Sequence, residues 1–236
     1  MSKVIALFGA GSGLGTAVAR RFGREGYAVA LVARRAGPLG ALADTLQSEG
    51  IDAAAFPANL SDTDGIPGVV EAMRTRFGAV DAAYYSPAST ESFLPASDMT
   101  VEMMRERTEL LFHGLVAVVN AVLPEMRKRG SGAILAGFGG TAAKGLPFMS
   151  GPAPAQAAAR NYLYSLHGEV AGAGIHVGMV TVSGVIAGSD YHREMEKGSH
   201  DAPADLEIPV VDAGDVADRL WRSANGTGEL ESTFPA

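Results

Sequence analysis

Five consecutive apolar residues, Val4–Phe8, run straight into Gly9-Ala10-Gly11-Ser12-Gly13-Leu14-Gly15. An uninterrupted apolar run has no polar face. As a strand it must be covered on both sides, the condition of a parallel sheet between two helix layers. Behind the turn, Leu14–Glu25 puts Leu14, Val18 and Phe22 on one face and Arg20, Arg21, Arg24 and Glu25 mostly elsewhere, the pattern of an amphipathic helix. Glycines between such a strand and helix let the chain turn sharply, let a pyrophosphate approach the backbone, and let the helix pack close to the strand. The helix N-terminus then favours the anion. In a chain with 30 glycines such a motif is weak by itself, and its place at the first strand–helix junction gives it weight.

The same alternation continues. Tyr27–Ala33, Ile51–Phe56, Val80–Tyr85, Ile134–Phe138 and Ile175–Val182 read as strands. Between and after them lie helical patterns: Leu39–Glu49 closed by Gly50, a helix running to Phe77 that Ser61-x-x-Asp64 is expected to cap, a long helix over about Met99–Arg129, Ala155–Val170, and a last helix near Val216–Ala224. Pro124 is expected to kink the long helix or end its regular part. This predicts an α/β fold over residues 1–236: one domain, with a parallel sheet and helices on both faces. Ligands of such sheets bind beyond the carboxyl ends of the strands.

A length of 236 residues and 47% apolar composition suit one such domain. With no Cys there is no disulfide framework, thiolate metal site or Cys nucleophile. A net charge of −7 argues against nucleic acid or an anionic membrane as the main partner. Only five apolar residues follow Met1-Ser2-Lys3, too few for a signal-peptide core. Leu110–Leu123 is broken by His113, Gly114 and Asn120 and is too short to span a bilayer. The expectation is a soluble, cytoplasmic protein.

Gly9, Gly13 and Gly15 are spaced Gly-x-x-x-Gly-x-Gly rather than Gly-x-Gly-x-x-Gly. With Asn59-Leu60, Leu123-Pro124-Glu125-Met126 and Glu169–Val177, this spacing makes the chain resemble a short-chain dehydrogenase/reductase (SDR) from Val4 to about Ile186. Phe8 stands where the family usually has Thr. The resemblance implies a single doubly wound Rossmann fold with a sheet of about seven strands, a nicotinamide dinucleotide, a homodimer or homotetramer, and a small-molecule substrate that the sequence does not identify. It places cofactor contacts on Gly9, Gly11, Ser12, Gly13, Leu14, Gly15, Asn59, Leu60, Ser86 and Gln156. An NAD site would carry an acidic residue about 20 positions past the glycines. None occurs between Glu25 and Asp44, and Arg34-Arg35 follow the second strand instead. Two guanidinium groups suit a 2′-phosphate, so the expected cofactor is NADP(H), with Arg34 the stronger candidate. The plainer alternative is a pair of solvated surface arginines.

The family's catalytic set is a Tyr, a Lys four residues later, a Ser on the preceding loop and an Asn in the long helix. Gapless alignment on Glu169–Val177 puts the Tyr position on Pro152, the Lys position on Gln156 and the Ser position on Gly139. Counting back from Pro124 puts the Asn position on Leu111. No Tyr-x-x-x-Lys occurs anywhere in the chain. A cation about 4 Å from a phenol is worth roughly 4 kcal/mol at an effective dielectric near 20. That tuning is missing, and losing a general acid typically costs about 10²–10⁴ in rate.

Substitutes for the lost groups are weak. Tyr84 and Tyr85 end the fourth strand. Successive strand residues face opposite ways, so at most one is expected to meet a ligand. Lys144, with Thr141 and Ser150, lies on the loop after the fifth strand and reads more readily as a solvated charge. His113 faces either the pocket or a dimer seam, and a lone His is more often structural. His192 with Asp190, Glu194 and Glu196 reads as a charged lid, and no metal is assigned.

Two functions remain in competition. One is an NADP(H)-dependent oxidoreductase with non-standard or weak proton transfer, suited to imines, quinones or activated double bonds. The other is a catalytically silent NADP(H)-binding protein, a sensor or dimer partner, using the apolar face of the long helix and Ala155–Ala159 as an interface. Burial of both faces within one subunit is the alternative for that interface. Non-redox chemistry on the same scaffold has no residues pointing to it.

Overall fold

The computed structural model describes residues 2–88, 94–197 and 208–235. Strand β1 (Val4–Phe8) leads through the glycine turn to helix α1 (Leu14–Arg24), then β2 (Ala28–Ala33), α2 (Ala36–Ser48), β3 (Ala53–Pro57), α3 (Ile66–Phe77) and β4 (Ala82–Tyr85). Helices α4 (Val101–Thr108) and α5 (Gly114–Arg129) follow, then β5 (Gly132–Gly139), α6 (Ala153–Val170) and β6 (Ile175–Val182). Two short strands, β7 (Val185–Ile186) and β8 (Val210–Val211), flank helix α7 (Asp190–Glu196). Helix α8 (Ala213–Ala224) and strand β9 (Glu231–Phe234) complete the chain.

The main sheet runs β3-β2-β1-β4-β5-β6-β9, with every pairing parallel. The strand order reverses between β1 and β4, which opens a crevice at their carboxyl ends. Alternate side chains serve opposite layers. Phe8, Tyr85, Ile134 and Ala136 pack with Leu115, Val118 and Leu163 of α5 and α6. Ile5, Leu7, Tyr84 and Leu135 pack with Val18, Phe22 and Leu220 of α1 and α8. Each fully buried large apolar side chain contributes roughly 1.5–3 kcal/mol, so both layers are needed to hold the crevice rigid.

Several boundaries differ from the sequence expectation. Helix α2 starts at Ala36, ahead of Leu39, with Pro38 in its first turn, where a missing N–H costs nothing. Ser61-x-x-Asp64 does not cap α3. That helix begins after Gly65 with no side-chain cap, and Asp62 Oδ1 accepts the Gly65 N–H at 3.2 Å instead. The long helix is broken by a π-helical turn at Glu109–His113, while Pro124 is carried inside α5. Taken together, Val101–Arg129 is 29 residues and, by length and composition, apolar enough to cross a membrane, longer than the Leu110–Leu123 segment considered from sequence. Its Leu111, Leu115, Val118, Val119 and Val122 lie in the core of this subunit. Beyond β6, β7 pairs in parallel with β8, and α7 follows β7 directly.

Strand β9 is the seventh strand, and its sequence gave no apolar signal. It is fastened by Glu231. The Arg160 Nε and Nη2 groups donate to its carboxylate at 2.8 and 2.6 Å, and the Tyr164 and Thr181 hydroxyls donate at 2.5 Å each. Burial raises the Glu231 pKa, but the bonds from Arg160, Thr181 and Tyr164 outweigh it and hold the group at about 2.

Candidate cofactor and active site

The glycine turn is pinned to β2, because the Gly9 and Ala10 N–H groups both donate to the Val32 carbonyl, at 3.0 and 2.9 Å. Gly9 is required by packing: its φ is +103°, and a Cβ there would sit 2.6 Å from the Ser86 and Pro87 backbone. Gly11 differs. Its φ lies outside the left-handed region, and a Cβ would meet nothing within 4 Å among the described residues. No contact inside the protein calls for a glycine there, whereas a ligand lying against the backbone does. No side chain caps α1 behind it. A pyrophosphate fits this cradle.

Arg34 and Arg35 leave β2 exposed, and neither side chain makes a hydrogen bond or close ion pair among the described residues. Both guanidinium groups are therefore open to an anion at the end of β2. Asn59 Oδ1 accepts the Ser61 N–H at 3.2 Å. The Leu60 side chain is buried in the core, leaving its backbone for any ligand. Ser86 closes the β1–β4 crevice: its N–H donates to the Phe8 carbonyl at 2.9 Å and its hydroxyl to the Gly137 carbonyl at 3.3 Å. Leu14 and Gly15 begin α1, and a Cβ on Gly15 would come 3.3 Å from Ala10 Cα.

Of the four positions that alignment assigns to catalysis, Leu111 and Gln156 line one small cavity with Tyr85, Pro87, Gly137 and Phe138. Gly139 adjoins it: its N–H donates to Gln156 Oε1 at 3.1 Å. Pro152 is the N-cap of α6, and its carbonyl accepts the Gln156 N–H at 3.0 Å. Leu111 sits in the π-helical turn, a feature that often marks functional sites.

The candidate substitutes lie as follows. Tyr84 and Tyr85 face opposite layers, and both are buried. Burial pushes both phenols well above their usual range. The Tyr85 hydroxyl donates to the Leu110 carbonyl in the π-helical turn. Gly114 makes room for it, since a Cβ there would fall 2.2 Å from the hydroxyl oxygen. The Tyr84 hydroxyl is buried near Ser86 without a well-formed hydrogen bond. Lys144 is exposed on the β5–α6 connection. His113 is also half exposed, with Nδ1 2.8 Å from Glu109 Oε2. His192 Nδ1 accepts the Gly188 N–H at 3.3 Å within the α7 segment. Sequence reasoning missed the Tyr85–Leu110–Gly114 contact; an unusual glycine in mid-helix is its one trace.

The profile of the short chain dehydrogenase family matches residues 3–198 of this chain. The chain belongs to the short chain dehydrogenase family. Among similar proteins is a fatty acyl-CoA reductase of Mycobacterium tuberculosis, 32% identical over 134 residues, which are 56% of this chain and 46% of that one. The match thus spans about half the length of that relative. Among solved structures, an actinorhodin polyketide ketoreductase with NADPH superposes with a TM-score of 0.87 at 21% identity, covering 99% of this chain and 95% of that one. A short chain oxidoreductase from Pseudomonas aeruginosa PAO1, described as containing an atypical catalytic center, gives 0.86 at 20% identity, covering 98% and 95%. At these identities the structures speak to the fold, which is the Rossmann-like fold of this short chain dehydrogenase.

Proposed function

We propose that this short chain dehydrogenase is an NADP(H)-binding oxidoreductase whose proton transfer is weak or non-standard. The observation that carries it is the lining of the cavity beside Gln156. Among the described residues that line it, Tyr85 is the one side chain with an ionisable proton, and that hydroxyl donates to the Leu110 carbonyl. A neutral Gln156 holds a ribose hydroxyl by hydrogen bonds but does not lower a neighbouring pKa by charge. Gly9, Gly11, Ser12, Gly13, Leu14 and Gly15 would hold the diphosphate, Arg34 and Arg35 the 2′-phosphate, and Asn59, Leu60 and Ser86 the adenosine and nicotinamide ends. NADPH in the ketoreductase of the same fold supports this choice of dinucleotide. When bound, the nicotinamide supplies or accepts a hydride, which needs chiefly that donor and acceptor be held in place. Acceptors needing little acid assistance, such as imines, quinones or activated double bonds, suit the site. We take the protein as a cytoplasmic homodimer or homotetramer.

The same lining also favours a silent NADP(H)-binding protein, because among the described residues it contains no free acid or base. Calorimetric titration with NADPH, and NADH as comparator, tests the shared premise: tight NADPH and weak NADH are expected, and binding of neither refutes it. NADPH oxidation across an acceptor panel then separates the two. Turnover lost in Gly13→Val but kept in Gln156→Ala establishes the oxidoreductase; rates equal to enzyme-free controls establish the silent protein.

A further inference from the structure

Helix α7 follows β6, yet it reaches back to the glycine turn at the head of β1. Its N-cap, Ser189, accepts the His192 N–H at 3.0 Å, and the Ser189 Cβ lies 2.9 Å from where a side chain on Gly13 would begin. The Asp190 N–H donates to Ser12 Oγ at 3.0 Å. Arg193 braces the segment, donating to the Gly188 carbonyl at 2.7 Å and to the Asp190 carboxylate. A carboxylate is thereby held against the turn whose N–H groups and hydroxyl suit phosphate. Its surroundings are cationic and donating: Arg193, Ser12 and, at longer range, Arg35 hold the Asp190 carboxyl below the usual carboxylate range.

We propose that Asp190, held at Ser12, is an internal anion that opposes the phosphates of the dinucleotide at the glycine turn, and so sets the affinity of that turn for NADP(H). This rests on the NADP(H) reading above. The competition has two parts. The Asp190 N–H already donates to the Ser12 hydroxyl that an incoming phosphate would use, and the Asp190 carboxylate beside it repels that phosphate at close range. The Asp190 side chain is 67% exposed, so solvent screens the effect, and replacing it with Asn leaves the fold intact. Glu194 lies on the same helix but pairs with Lys197 at 3.7 Å, so Glu194→Gln makes the same change in net charge away from Ser12.

The test is calorimetric titration of the wild type, Asp190→Asn and Glu194→Gln with NADPH at low ionic strength. Asp190→Asn is expected to bind about three- to tenfold more tightly, and Glu194→Gln to stay within about twofold of wild type. Unchanged or weaker binding in Asp190→Asn, with the wild type binding normally, overturns the proposal and leaves the NADP(H) reading standing. Equal tightening in Glu194→Gln also overturns it, by showing a general charge effect. Failure of all three proteins to bind removes the NADP(H) reading and the proposal with it.

Discussion

Replacing Glu231 by Gln isolates the fastening of the edge strand. The side chain is 10% exposed and accepts hydrogen bonds from Arg160, Thr181 and Tyr164, so Gln keeps the shape while removing the charge and one acceptor oxygen. The carboxyl stands at about 2 instead of its ordinary 4.5. At about 1.4 kcal/mol per pH unit this sets a ceiling of about 3.4 kcal/mol. Arg160 is 29% exposed, so solvent reduces the value, and we expect about 2 kcal/mol at pH 7. The sign follows from linkage. A carboxyl with a depressed folded pKa stabilises fully above its unfolded pKa near 4.5 and loses that contribution as pH falls through 2. Urea denaturation of both proteins at pH 7, 5, 4 and 3 should therefore show a gap that is constant above 4.5 and shrinks below it. A gap under about 0.5 kcal/mol at pH 7, or one unchanged at pH 3, refutes the role of the charge.

Other substitutions probe the crevice. Gly114→Ala drives a methyl group into the Tyr85 hydroxyl and should destabilise by about 2 kcal/mol, lowering the thermal midpoint by about 4–8 °C; an unchanged midpoint would show that the site relaxes freely. Gly11→Val should abolish NADPH binding yet leave the thermal midpoint within about 2 °C, because nothing lies within 4 Å of the new Cβ; loss of the fold would mean the glycine serves the protein itself. Arg34→Ala should weaken NADPH about tenfold and leave NADH within about twofold, read by competitive titration, and equal losses for both would detach Arg34 from the 2′-phosphate.

How much was legible in the sequence follows from where apolar side chains sit. Val4–Phe8, Ala28–Ala33 and Ile175–Val182 are buried along nearly their whole length, so their strands show as apolar runs. Strand β9 reads Glu-Ser-Thr-Phe, since an edge strand packs on one side and its stability comes from ionic and hydroxyl contacts that composition does not reveal. Helix α7 is too short for a 3.6-residue period to register. The π-helical turn keeps helical spacing on both sides of itself, so only coordinates expose it. Gly9 and Gly13 were legible because the turn demands their positive φ, and Arg34 and Arg35 because adjacent charges directly after a strand stand out in the sequence. The Ser12–Asp190 contact joins residues 178 positions apart, and no local pattern records it.

The π-helical turn has a consequence for how the chain tolerates change. One extra residue wound into a helix advances everything beyond it by about 100° around the axis. The faces of α4 and α5 are therefore set independently: α4 packs against α6, and α5 turns Leu115, Val118 and Val122 into the core. Deleting a residue from 109–113 would restore a regular helix only by rotating one half against the other. Either Leu115, Val118 and Val122 would leave the core, or the face that α4 packs on α6 would turn away, and in both cases the Leu110 carbonyl that receives Tyr85 would be displaced. The turn thus acts as a rotational clutch, letting α4 drift in sequence and orientation without disturbing the α5 packing that holds the sheet.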